Sequence, residues 1–164
     1  IGKMPFPPHG ALMAKAMIKG ETEHPDIRGE LRVDQANGGS VGQVEIAGLP
    51  GYMPAYGYDQ PIGPFGFHVH DHGNCEPMGG KQPFEHAGGH YNPDNQPHGH
   101  HEGDLPVLLT SESGRAQRSV YTDKFTHDQV VGKTIMVHEN PDYYRTNPAG
   151  NSGRRIACGV IVEV

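Results

Sequence analysis

Between Phe65 and His72 the chain reads Phe-Gly-Phe-His-Val-His-Asp-His. Phe65, Phe67 and Val69 alternate with Gly66, His68 and His70, which is the period of a β-strand with one apolar face. In that geometry His68 and His70 stand side by side on the other face. Two imidazoles on one rigid strand are preorganised metal ligands, although a strand whose polar face meets solvent carries the same pattern. The chain of 164 residues holds twelve histidines, most of them between His68 and His138. A tract that dense is the composition of a metal site.

The rest of the composition bounds the fold. With 24 glycines, 15 prolines and a hydrophobic content of 34%, an all-β domain with long turn-rich loops is favoured over a helical bundle. The length suits one domain with its own core. The formal charge of −6 argues against nucleic acid, whose phosphates need a basic surface. No apolar run approaches the ~18 residues of a transmembrane helix. The sequence opens at Ile1 with neither a Met nor a charged-then-apolar stretch, and the expectation is a leader or anchor already removed and so not present in this chain. Cys75 and Cys158 are compatible with one disulfide and an oxidising compartment, or with two free thiols.

Residues 1–10, with Pro5, Pro7 and Pro8, read as an extended arm preceding a domain over 11–164. Ala11–Lys19 has helix-forming composition, but the segments that follow argue for a first strand. Asp26–Gln35 alternates Ile27, Leu31 and Val33 with charged residues, and Ala36-Asn37-Gly38-Gly39 turns it into Val41–Ala47. Gly48–Pro64 reads as a long loop. Phe65–His70 forms the histidine strand, and Gly73–Gly103 shows no periodicity. Loops of that length are functional in compact domains. Leu105–Thr110, Gly114–Thr122, Lys133–Glu139 and Arg154–Val164 supply four more strands, with a second polar loop over Asn140–Gly153. The count is eight strands, which predicts an antiparallel Greek-key barrel or sandwich with two long functional loops.

Four separated blocks occur in one order: Gly66-Phe67-His68-Val69-His70; Ala87-Gly88-Gly89-His90-Tyr91-Asn92-Pro93; His101-Glu102-Gly103-Asp104-Leu105; and Gly132 to Glu139 with Arg155-Ile156-Ala157-Cys158-Gly159-Val160. Together they resemble the copper/zinc superoxide dismutases, in their bacterial form, over residues 11–164. The resemblance implies copper ligands His68, His70, His90 and His138, with His90 shared with zinc. It implies that zinc is completed by His98, His101 and Asp104. Three imidazoles and a carboxylate suit a closed tetrahedral zinc site, and imidazoles alone suit a copper that changes oxidation state. Asp142 corresponds to a carboxylate linking the two sites, and Cys75–Cys158 to the family's disulfide. Arg155 corresponds to a guanidinium beside the copper, read as exposed and governing rate rather than stability, with Arg154 and Arg145 as helpers.

The implied activity is dismutation of superoxide to dioxygen and hydrogen peroxide, with Arg155 and His90 catalytic. The alternative is a non-enzymatic copper/zinc-binding protein of the same fold. An extracytoplasmic setting (secreted, periplasmic or cell-surface) and a homodimer are the corresponding expectations. His98 and His101 are three apart, closer than the family pattern, which makes His100 a competitor for zinc. His72 and His86 match no ligand and read as loop residues. His9, His24 and His127 read as surface residues.

Overall fold

The computed structural model describes residues 12–51, 63–76, 83–95, 103–139 and 154–164. Eight strands run β1 Leu12–Gly20, β2 Arg28–Ala36, β3 Gly39–Ala47, β4 Phe65–His70, β5 Asp104–Leu108, β6 Ala116–Thr122, β7 Thr134–His138 and β8 Arg155–Glu163. They form one antiparallel sheet in the order β5-β4-β7-β8-β1-β2-β3-β6. The sheet curls into a nearly closed barrel. At the seam, Arg118 Nη1 of β6 donates to the Val107 carbonyl of β5 at 3.2 Å. Because β4 pairs with β7 rather than with β3, the strand order is that of a Greek key. The expected all-β, eight-stranded antiparallel architecture is the one found.

The interior follows the period of two. Ala14, Ala16 and Ile18 of β1 point inward with Leu31, Val33, Val44, Ile46, Phe65, Phe67, Val69, Ile135 and Val137. Lys15, Met17 and Lys19 are exposed. The helix-forming composition of β1 is overridden because ladders to β2 and β8 satisfy its backbone on both edges. The β2–β3 hairpin turns at Asn37–Gly38, where Gly38 takes φ 78°, a conformation glycine adopts without steric cost.

Among the described residues, two short helices break the irregular stretches and have no periodic signature: a 3-10 turn over Glu85–Ala87 and α1 over His127–Val130. The second opens with a capping box, Thr126 N donating to Gln129 Oε1 at 2.8 Å. Among the described residues, no helix is long and apolar enough to cross a membrane. The arm over 1–10 lies outside the described residues.

Cys75 and Cys158 are joined, with Cα atoms 5.7 Å apart and a sequence separation of 83. Cross-linking over that span is worth roughly 4 kcal/mol in the chain-entropy model. The bridge packs with Phe84, Ala87 and Met136 into a second apolar cluster on the outer face of β7 and β8. This cluster fixes the 3-10 turn to the barrel wall.

A small apolar cavity of about 20 Å³ lies inside the barrel beside Leu31, Val44, Phe67 and Gly42. A Cβ on Gly42 would meet only Leu31 Cδ1, at 3.6 Å. Gly42→Ala should therefore raise the unfolding free energy by about 1 kcal/mol, through lower unfolded-state entropy and added apolar contact. Urea denaturation of the two proteins checks this; a lower midpoint for the variant contradicts the packing described.

Candidate metal centre

The outer face of β4 and β7 carries the site. His68 and His70 project outward because Phe65, Phe67 and Val69 are claimed by the core. His138, at the end of β7, pairs in register with Gly66, and a residue without a side chain leaves room there for the imidazole ring. All residues of both strands are buried. The outward face is thus covered rather than solvated, because the chain around the 3-10 turn folds over it.

That chain delivers His90. His70 and His90 form an antiparallel bridge, Asp71 N donates to Gly89 O at 2.9 Å, and Tyr91 N donates to Val69 O at 2.7 Å. On the same edge of β4, Asp104 lies opposite His68. Val69 N donates to Gly103 O at 2.8 Å. A Cβ on Gly103 would lie 2.5 Å from Val69 O, so only glycine permits this approach. Ion pairing adds to the backbone bonds: Lys133 Nζ lies 4.8 Å from the Tyr91 ring centre and 3.7 Å from Asp71.

The result is a focus of nitrogen. His68, His70, His90 and His138 each present one ring nitrogen, and the four atoms lie within 4.8 Å of one another. His70 and His138 are 0% and 2% exposed, with their Nε2 atoms 3.1 Å apart. His70 Nδ1 lies 2.8 Å from the Gly88 carbonyl oxygen. A carbonyl only accepts, so Nδ1 carries the proton and Nε2 offers its lone pair to the cluster. Burial pushes the His70 pKa well below its ordinary value, and His138, His90 and Arg155 push it further. Neutral imidazoles with converging lone pairs are what a transition metal requires.

His90 faces two ways. Its Nδ1 lies 2.9 Å from Asp104 Oδ1, and both side chains are almost fully buried. Its ring centre stands 4.0 Å from that of His68 and 4.9 Å from that of His70. One imidazole is therefore placed between three others and a buried carboxylate. These residues fit a copper ion on the nitrogen side and a zinc ion on the carboxylate side by the chemistry of their donor atoms. His98, His100, His101, Asp142 and Arg145 lie outside the described residues. His72 and His86 are exposed and stand outside the cluster.

Arg155 differs from its sequence reading. It is half-buried rather than exposed, and donates from Nη1 to Phe84 O at 2.8 Å and from Nη2 to Gly88 O at 2.7 Å. Burial draws its pKa down and Glu85 opposes the shift; a guanidinium stays charged regardless. It has a stabilising role as well as a placement beside the histidines. Arg154 is no helper at the site, since its guanidinium is bound by Glu21 and Glu23. Sequence reasoning missed the Gly88 carbonyl and Glu21, the partner of His24, because neither carries a local signal.

Barrel and cluster together define a metal-binding β-barrel protein. A model of the copper/zinc superoxide dismutases matches residues 27–161, and the chain belongs to that family. It is 31% identical over 150 residues to superoxide dismutase [Cu-Zn] 2 of Aquifex aeolicus, covering 83% of this chain and 80% of that one. It is also 31% identical to the superoxide dismutase-like protein YojM of Bacillus subtilis, covering 98% of this chain and 86% of the other. Among solved structures, the Cu/Zn superoxide dismutase from Brucella abortus superposes with a TM-score of 0.72 at 28% identity. That superposition covers 90% of this chain and 98% of that one.

Burial and the neighbouring cations hold the His70 pKa down, which makes the metal-free fold sensitive to acid. The unfolded chain binds a proton near pH 6.5 that the folded cluster refuses, so stability rises with pH through that region. This contribution is full above about pH 6.5 and is lost as pH falls below it. The melting temperature of metal-free protein should drop between pH 7.5 and 5.5, and less steeply in His70→Asn. Equal profiles for the two proteins would contradict it.

Proposed function

We propose that the protein is a superoxide dismutase that binds copper through His68, His70, His90 and His138, and zinc through His90, His98, His101 and Asp104. The observation that carries this reading is the position of His90, with one side in a four-imidazole group and Nδ1 on a buried carboxylate. Two superoxide anions and two protons give one dioxygen and one hydrogen peroxide. When bound, copper would supply the one-electron exchange with each anion, and zinc would supply a fixed positive charge beside His90.

The chain's own residues account for the rest. His70 keeps its proton on Nδ1 by donating to Gly88 O, so its ligand nitrogen needs no reorganisation. His90, oriented by Asp104, has Nε2 on the cluster side, where it takes up and returns a proton to the reduced dioxygen. Arg155, pinned by two carbonyl oxygens, is a fixed cation that attracts and orients a small anion on an acidic chain. Asp142 is assigned as the carboxylate linking the two metal sites. The disulfide supports an extracytoplasmic setting.

Protein loaded with copper and zinc should remove superoxide in pulse radiolysis or in competition with a xanthine oxidase source. The match to a superoxide dismutase-like protein over 98% of this chain favours one second reading, a copper/zinc-binding protein without turnover. Full copper occupancy with no superoxide removal selects that reading.

Arg155→Gln should lower the second-order rate constant at low ionic strength by about tenfold. It should also cost about 2 kcal/mol of stability through the lost charged hydrogen bonds. Stopped-flow assays with thermal unfolding read both, and an unchanged rate rejects the anion-orienting role. For zinc, His101→Ala should lose the metal on dialysis while His100→Ala keeps it. The reverse result moves the ligand by one residue.

A further inference from the structure

Arg154 stands next to Arg155 in sequence, yet its guanidinium is committed elsewhere. Nη1 donates to Glu23 Oε2 at 2.8 Å and Nη2 to Glu21 Oε2 at 3.3 Å. Glu21 is only 3% exposed, and its other carboxylate oxygen is bound by His24 Nδ1. Its backbone N–H donates to Ile156 O at 2.9 Å. One residue of the β1–β2 connection therefore holds both chain neighbours of Arg155.

Ile156 is the extra residue of a β-bulge. Val137 pairs with Ala157, but His138 pairs with Arg155, so Ile156 has no opposite number. Ile156 and Ala157 both enter the barrel core. Strict alternation from Ala157 would send Arg155 inward; the bulge turns it to the outer face, beside His138. Bulges re-aim side chains in this way next to functional sites.

A buried carboxylate is costly unless charges and hydrogen bonds answer it. Burial pushes the Glu21 carboxyl up, but the His24 bond, the Glu23 backbone N–H and Arg154 outweigh it and hold the pKa below the ordinary value. The carboxylate is thus kept as an anion, and Arg154 is its counter-ion.

We infer that Glu21 is a positioning residue for Arg155. By clasping Arg154 and bonding the bulge at Ile156, it fixes the Arg155 guanidinium against the Phe84 and Gly88 carbonyls. It also leaves Arg155, and not Arg154, as the cation turned toward the histidine cluster. The inference rests on Arg155 being the anion-orienting group, and its test separates the two claims.

Azide, a small anion, is titrated into copper-loaded protein and followed by the Cu(II) absorption band, well below every unfolding midpoint. The proteins are wild type, Glu21→Gln, Glu21→Asp, Arg155→Gln and the double variant Glu21→Gln/Arg155→Gln. Glu21→Gln and Arg155→Gln should each weaken azide binding by about fivefold, and the double variant should be no weaker than Arg155→Gln alone. Glu21→Asp, which keeps the charge with a shorter reach, should lie between wild type and Glu21→Gln. In crystals of metal-free Glu21→Gln, the Arg155 guanidinium should leave the Phe84 and Gly88 carbonyls. If Arg155→Gln weakens azide binding while Glu21→Gln does not, or if the two losses multiply, the positioning role is overturned. If Arg155→Gln itself changes nothing, the anion-orienting reading fails and takes this one with it. Should Glu21→Gln not fold, a wild-type azide affinity in Glu21→Asp overturns the proposal on its own.

Discussion

The carbonyl oxygen of Gly88 is where the fold and the site meet. It accepts a hydrogen bond from His70 Nδ1 at 2.8 Å and another from Arg155 Nη2 at 2.7 Å. The first sets which nitrogen of His70 has a free lone pair. The second sets where a permanent cation sits relative to that lone pair. Gly88 has φ 77°, and a Cβ there would come within 2.5 Å of His72 Cδ2. Only glycine can turn the carbonyl this way. The disulfide then makes the arrangement rigid, since Phe84 and Ala87 pack against Cys75, Cys158 and Met136. Removing the bridge would loosen the surface on which the 3-10 turn rests.

The barrel contributes stiffness rather than chemistry. Its interior is apolar, and the titratable side chains of the site stand on the outside of β4, β5, β7 and β8. Four histidines from two strands and a loop converge because each strand is held by ladders on both sides, with little freedom to shift. A metal centre benefits from such preorganisation, because little further conformational entropy is lost when its ligands close on an ion. Relatives near 30% identity share the barrel and the family, and one of them is named only as superoxide dismutase-like. Similarity at that level establishes the framework, while turnover depends on side chains around the cluster.

Much of the framework was legible in the chain. The period of two marked β2 and β4, and even β1, rich in helix-forming residues, alternates Ala14, Ala16 and Ile18 with Lys15, Met17 and Lys19. The motif blocks pointed to His68, His70, His90 and His138, which the fold brings within 4.8 Å. The 3-10 turn and α1 were not legible, because three or four residues are too few to show a helical period. His24 read as a surface residue, yet it binds the buried Glu21.

The sequence by itself determined which faces of the strands are apolar, where the histidines and cysteines stand, and which motif order they follow. These are local properties, fixed by side-chain type and by the alternation of the backbone. Only the tertiary structure decided which way Arg155 points, whom Arg154 binds, and that His90 stands between three other histidines and Asp104. Each of these depends on register between segments far apart in sequence, and one extra residue in β8 reverses the direction of the side chain that precedes it. No local pattern encodes that insertion, because it exists only in relation to the partner strand.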